Sequence, residues 1–333
     1  MVATEQHYAT VAGLRVLRAG GNAVDAAVAI AYALAVVDPC CGNIGGGGFM
    51  LLRMHDGREY FIDFREKAPL KATRTMFLDA KGNVVSGRST KGWLAIGVPG
   101  TVLGMESARR EFGTMSRAAL MAPAIALARD GFIFNASDRV AFEDSKFSGS
   151  AIFMPGGAFP KPGSRFVQPQ LAATLELISR DGANAFYRGP IARAIVRASE
   201  ENGGILSLRD FAEYSVEQRA PVHCHYQSYE VTAAPPPSSG GIALCEILNV
   251  IAPYRLTAWG WHSAKSVHYV TEAERRAYAD RNTYLGDPDF VHNPTTALLA
   301  SAYAARLRSE IAPDSATPSS QVRAGRGVEA NEH

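Results

Sequence analysis

Arg65 stands in the string Asp63-Phe64-Arg65-Glu66-Lys67. A guanidinium presents five donors in a planar fork that matches the two oxygens of a carboxylate. The string falls at the end of a predicted strand, where binding side chains are often placed. On residue type alone, an arginine beside Asp and Glu usually serves a structural ion pair, and a ligand role is the lesser expectation. Ser238 and Ser239, in Pro235-Pro236-Pro237-Ser238-Ser239-Gly240-Gly241, carry hydroxyls that need a base within hydrogen-bond reach to act as nucleophiles. His223 and His225 fall on the far side of a strand, and no Gly-x-Ser-x-Gly elbow is present. A rigid strand-to-helix turn, capped by Ser238 or Ser239, is the expectation. Gly45-Gly46-Gly47-Gly48 lacks the Lys-Ser/Thr of a P-loop and the spacing of a dinucleotide loop. It also precedes a strand, whereas phosphate loops precede a helix N-terminus, so close backbone packing is expected. Asp280-Arg281 and Asp287-Pro288-Asp289 do not fit a calcium loop, whose ligands alternate, and predict a hydrogen-bonded helix exit. Cys40, Cys41, Cys224 and Cys245 lack Cys-x-x-Cys spacing, which argues against zinc or a redox motif. Adjacent Cys40 and Cys41 cannot easily bridge, and all four are expected to be small, partly buried apolar residues.

The elements that must position these residues are legible from caps and breakers. Thr4 is a plausible N-cap for a helix through Arg18, stopped at Gly20-Gly21. Asn22 caps an Ala-rich helix, Ala23 to Val37, closed by Asp38-Pro39. Phe49–Met54 and Glu59–Phe64 read as two strands, with Asp56-Gly57 as the hairpin signal between them. Helices are expected from Thr101, over Ser116–Arg129, from Gln168-Pro169 and over Ile191–Glu201. Residues 138 to 168 are expected to form an irregular surface excursion. Ser228–Ala233 reads as a strand, and Ile242–Ile251 and Ala264–Tyr284 as helices. Beyond Pro313 the periodicity fades, leaving an irregular tail over 314–333.

The balance of 34 basic against 32 acidic residues, a net charge of +2, gives no electrostatic footprint for nucleic acid or an anionic membrane. The most apolar stretch, Ala23 to Val37, is interrupted by Asp25 and too short to span a bilayer. A length of 333 residues allows one large domain or two medium ones. No compositional shift marks a boundary, so a single domain is expected.

Seven strings, in order over essentially the whole chain, resemble the γ-glutamyltransferases (γ-glutamyltranspeptidases, glutathione hydrolases). They are Gly20-Gly21-Asn22-Ala23-Val24-Asp25-Ala26-Ala27, Asn43-Ile44-Gly45-Gly46-Gly47-Gly48-Phe49-Met50, Asp63-Phe64-Arg65-Glu66-Lys67-Ala68-Pro69 and Gly97-Val98-Pro99-Gly100-Thr101. Pro235 to Gly241, Tyr278-Ala279-Asp280-Arg281 and Tyr284-Leu285-Gly286-Asp287-Pro288-Asp289-Phe290 complete the series. Two positions depart from the usual strings. Lys67 stands where the family often has Met or Thr, and Cys40-Cys41 replaces an often polar pair.

The resemblance implies an α/β (α+β) fold, the αββα sandwich of N-terminal nucleophile hydrolases. This chain would be its large-subunit portion, residues 1–333 forming part of a single domain completed by a small subunit. It implies a precursor that cuts itself before a threonine, so a Thr is expected directly after His333 and no catalytic residue lies in this chain. The new Thr would supply nucleophile and base together. It would cleave a γ-glutamyl amide such as that of glutathione and pass the acyl group to water or to an amino acid or peptide. Arg65 is implied to grip the α-carboxylate of the γ-glutamyl group. No cofactor or metal is implied, and the expected partners are the small subunit and a small-molecule γ-glutamyl substrate. The strings are most like those of bacterial periplasmic members, which implies a periplasmic or secreted protein. Two alternatives are a related acylase acting on glutaryl-cephalosporin-type amides, against which Arg65 argues, and a catalytically silent binding module.

Overall fold

The computed structural model describes residues 1–144 and 150–325. The expected junction at His333 lies outside the described residues. The chain groups into two compact units: Met1–Gly48 with Ile62–Glu217, and Phe49–Phe61 with Gln218–His333.

Among the described residues the strands are β1 (Phe49–Arg53), β2 (Glu59–Asp63), β3 (Phe132–Ile133), β4 (Arg165–Phe166), β5 (Glu217–Arg219), β6 (Val222–Tyr226) and β7 (Tyr229–Ala233). They pair as β1-β2-β5, β3-β4 and β6-β7. The β1–β2 turn forms at Asp56-Gly57 as the sequence predicts, with the Met54 N–H donating to the Arg58 carbonyl at 2.8 Å. β6 and β7 are antiparallel, Cys224 facing Val231 across the ladder.

The first unit is built around helices. α1 (His7–Arg18) and α2 (Ala23–Val37) pack together, and α2 also packs on α3 (Thr101–Phe112) and α4 (Arg117–Asp130). The Ala-rich composition of α2 suits this position: Ala26, Ala29, Ala33 and Ala35 are all buried, together with Tyr32. Small side chains let helix axes approach closely at native packing density. The Asn22 cap is present as a full capping box with Asp25. α1 begins later than expected. Gln6, not Thr4, is its cap, its side chain accepting the Tyr8 N–H at 2.6 Å, while the Thr4 hydroxyl donates to the Gln6 carbonyl at 2.8 Å.

The irregular surface excursion expected over 138–168 is present over 150–164, a run of turns and bends without a buried residue, whereas the two ends of the stretch are ordered. The stretch starts within α5 (Ala136–Asp144) and ends in β4, and these ends bury Phe142 and Phe166 against Phe132 and Phe134 in edge-to-face pairs 5.0–6.1 Å apart. Burying this aromatic surface anchors the two ends, while the described Gly and Pro residues fall in the irregular part between them. Residues 145–149 of the stretch lie outside the described residues. The unit continues through α6 (Pro169–Asp181), α7 (Ala183–Tyr187), α8 (Pro190–Glu201) and α9 (Leu208–Glu213).

The second unit has α10 (Gly240–Ile251), α11 (Leu256–Trp259), α12 (Ala264–Tyr284), α13 (Thr295–Leu298) and α14 (Ser301–Ser309). α10 packs against α12, α14 and β6 over a core that includes Val222, Ile242, Val250, Ala273, Leu298 and Leu307. The sequence reading of the cysteines needs correction here. Cys224 and Cys245 are joined in a disulfide between β6 and α10. Alternation along β6 turns Cys224 inward between exposed His223 and His225, and Cys245 is fully buried on the facing side of α10. From Pro313 to Gly325 the chain is irregular apart from one short turn at Ser319–Gln321. No helix among the described residues is long and apolar enough to cross a membrane.

Candidate functional site

Three of the motif strings converge on the backbone of Arg65, all within the first unit. Phe64 and Gly48 exchange both N–H···O bonds, at 3.0 and 3.2 Å, and so fasten the end of the Gly run to the residue before Arg65. The Gly46 carbonyl accepts the N–H groups of Gly100 and Thr101 at 2.7 and 3.0 Å. Lys67 and Val98 exchange a further pair at 3.2 and 2.8 Å. These segments lie so close that a side chain cannot fit between them. A Cβ on Gly47 would fall 2.5 Å from the Phe64 carbonyl oxygen and 2.7 Å from the Glu66 nitrogen, and one on Gly100 would collide with the same Phe64 carbonyl. The Gly run is thus a close-packing element, as its sequence context predicts.

Side chains distant in sequence lock this frame. The Tyr214 hydroxyl donates to the Arg65 carbonyl at 2.9 Å, and the Tyr187 hydroxyl donates to the Pro99 carbonyl at 2.9 Å. The two rings stack 5.6 Å apart. Burial holds both phenols well above the ordinary tyrosine range, and around Tyr214 neighbouring anionic groups, including Asp63 and Glu66, add to it. Both therefore remain protonated donors. Asp63 is buried and its Oδ1 accepts the Arg65 N–H at 3.1 Å. Further on, the Ser207–Asp210 capping box of α9 is shared, since Asp210 Oδ1 also accepts the Leu70 N–H at 2.6 Å. Lys67 is held by Glu217 at 3.4 Å and Ser215 at 3.0 Å. Arg65 itself is exposed, on a backbone fixed from both sides.

The other strings have different fates. In Gly20 to Ala27 the charged residue is structural. Asp25 is fully buried and accepts from the N–H groups of Asn22, Thr114 and Met115 and from the Thr114 hydroxyl at 2.7–3.1 Å. Burial alone would raise its carboxyl, but these donors outweigh it and leave it below the usual carboxylate range.

In the second unit, Pro235 to Gly241 forms the predicted turn between β7 and α10. Ser239 occupies the N-cap position without a capping bond of its own. Its hydroxyl instead accepts from Arg281 Nε at 2.8 Å, and Ser238 Oγ accepts the Gly240 N–H at 3.3 Å. His223 lies 3.6 Å from Glu59.

Asp280 is buried beside Glu246, accepting from the Tyr303 hydroxyl and from the Gly325 N–H at 2.5 and 2.6 Å. Burial, then the hydrogen bond and charge of Asp280, push Glu246 up to about 10, so it holds a proton at neutral pH. Asp287 Oδ1 accepts the Asp289 N–H at 3.0 Å, and Asp289 receives both terminal nitrogens of Arg219 at 3.0 and 3.1 Å. The hydrogen-bonded helix exit is therefore present. An open hollow of about 750 Å³ beside it is lined by Arg219, Pro235, Pro236, Phe290 and His292 among others.

Comparison with known proteins decides how the converging strings are to be taken. A profile described as gamma-glutamyltranspeptidase matches residues 9–333. The chain belongs to the γ-glutamyltranspeptidase family. The glutathione hydrolase proenzyme of Pseudomonas sp. (strain A14) is 51% identical over 332 residues, covering 98% of this chain and 58% of that protein. The glutathione hydrolase proenzyme of Escherichia coli (strain K12) is 46% identical over 336 residues, covering 98% and 57%. This chain thus spans somewhat over half the length of these curated relatives. The crystal structure of the Helicobacter pylori γ-glutamyltranspeptidase matches with a TM-score of 0.93 at 44% identity, covering 99% of this chain and 96% of that chain. The α/β fold is that of the γ-glutamyltranspeptidases.

Proposed function

We propose that this chain is the large subunit of a γ-glutamyltransferase that cleaves γ-glutamyl amides such as glutathione. The observation that carries this reading is Arg65, an exposed residue at a strand end whose backbone is clamped by two other motif strings and by Tyr214. A rigid main chain with an exposed planar fork suits recognition of the α-carboxylate of a glutamyl group. Support for a two-chain protein comes from lengths. The chain covers 58% of a relative named a proenzyme but 96% of a chain in a solved structure.

In this reading the small subunit begins with a Thr freed when the precursor is cut. The Thr Oγ attacks the γ-carbonyl while its α-amine takes the proton, and the amine of the first product leaves from a γ-glutamyl-enzyme. Water then releases glutamate, or an acceptor amine takes the acyl group. Arg65 holds the glutamyl end so that the γ-carbonyl lies at the nucleophile, a contribution of orientation and not of proton transfer. A periplasmic or secreted location accords with the Cys224–Cys245 disulfide.

Expression of the full gene tests the proposal. Two chains are expected, the second starting with Thr, together with release of glutamate from glutathione. A single folded chain without that activity would favour a silent binding module instead.

A further inference from the structure

Cys40 and Cys41 lie in the turn that leaves α2, four residues before the Gly run. The turn is ordered by its own backbone. Asp38 N–H donates to the Leu34 carbonyl at 2.8 Å, and the Asp38 carbonyl accepts from Cys41 and Gly42 at 3.2 and 2.8 Å. It places Cys40 Sγ 2.7 Å from Cys41 Sγ, inside the van der Waals separation of two sulfur atoms yet short of a bond. Asp38 Oδ1 accepts from Cys40 Sγ at 3.0 Å. Cys41 is exposed and Cys40 half-buried, and neither carries a disulfide. Elsewhere in the chain Cys224 and Cys245 are bridged, as in proteins that meet disulfide oxidants.

We propose that Cys40 and Cys41 are a modification site, a vicinal dithiol that a small organic disulfide oxidises reversibly to a bond between the two neighbours. The arrangement divides the roles. Asp38 holds the half-buried Cys40 thiol by its hydrogen bond while Cys41 is open to solvent, so Cys41 is the attacking thiol and Cys40 the resolving one. Cys41 loses its proton and its sulfur attacks the oxidant, breaking the oxidant's S–S bond and releasing one thiol. Cys40 then loses its proton and attacks the Cys41 sulfur of the mixed disulfide, releasing the second thiol. The two cysteines are oxidised together, and the oxidant is reduced to two thiols that carry the two protons. Consecutive Cα atoms are held about 3.8 Å apart, closer than in ordinary disulfides. The closed ring is therefore strained and easily reduced, which makes the site reversible and not a structural staple.

The test uses the purified whole protein, briefly reduced, desalted and exposed to bis(2-hydroxyethyl) disulfide, which has no amino-acid portion to be turned over. Peptide mapping is expected to show loss of two hydrogens in the Cys40–Cys41 peptide. Maleimide labelling of both thiols should disappear and return with dithiothreitol, while the Cys224–Cys245 link persists throughout. Cys40→Ser should stop at a mixed disulfide on Cys41, and Cys41→Ser should react about tenfold more slowly or not at all. A stable mixed disulfide on the unaltered protein, a cross-link between two molecules, or thiols that stay labelled would each overturn the proposal.

Discussion

Arg65 and Asp280 are charged residues in motif strings of similar character, and the structure treats them in opposite ways. The string around Arg65 buries its backbone and exposes its charge. Gly47, Gly100 and Tyr214 contact main-chain atoms of residues 64–66, and the guanidinium-bearing residue is exposed. The string around Asp280 buries the charge itself, against Glu246, Tyr303 and the Gly325 amide. A shared family motif thus mixes two kinds of position. One leaves its side chain outward at the surface, and the other spends its side chain holding the chain together.

Replacement of the buried member should have the largest effect on stability. Asp280→Ala leaves the Tyr303 hydroxyl and the Gly325 N–H without their acceptor. At about 1–3 kcal/mol for each buried donor left unpaired, a loss of roughly 3 kcal/mol or more is expected in urea unfolding. A loss under about 1 kcal/mol would break the contrast between the two strings.

The same cluster sets a pH dependence. Glu246 in the folded protein is raised from 4.5 to about 10, so the folded state binds its proton more tightly than the unfolded chain does. The stability from that proton is complete below about 4.5 and is lost as pH climbs towards about 10. Glu246→Gln keeps a hydrogen-bonding group and cannot ionise. Its stability relative to the unaltered protein should therefore rise between pH 5 and pH 9, and a difference that stays constant with pH would contradict the assignment.

A smaller effect is expected at the Arg65 frame. Tyr214→Phe removes one hydrogen bond to the Arg65 carbonyl, about 1 kcal/mol. If the proposed function holds, this should raise KM for a γ-glutamyl substrate roughly fivefold with little change in kcat. An equal fall in kcat would place Tyr214 in the chemistry and not in positioning.

The sequence made the local parts of this picture legible. The Asn22 cap, the Asp56-Gly57 hairpin and the span of α12 follow from signals within a few residues of each other, and all three are present. The Gly run's packing role was also readable, because it precedes a strand and lacks phosphate-loop residues. What stayed hidden depends on contacts between distant segments. Tyr214 supports Arg65 across 149 positions, and nothing beside either residue announces it. The Cys224–Cys245 bridge required knowing that β6 lies against α10, although the exposed-buried-exposed pattern of His223, Cys224 and His225 marks the inward face. The excursion within 138–168 was readable from its Gly and Pro residues, whereas Phe142 and Phe166, which anchor its ends, declare themselves only by meeting in the core.

The central claim is that Arg65 presents its fork to the α-carboxylate of a γ-glutamyl group. The most direct measurement is kcat/KM of Arg65→Ala in the processed two-chain protein with glutathione, beside the unfolding midpoint of the same sample. Loss of one partner of a charged hydrogen-bonded pair costs roughly 2–5 kcal/mol. A fall of roughly two to three powers of ten is therefore expected, with the midpoint unchanged and little rescue by Arg65→Lys. A kcat/KM close to that of the unaltered enzyme would contradict the account.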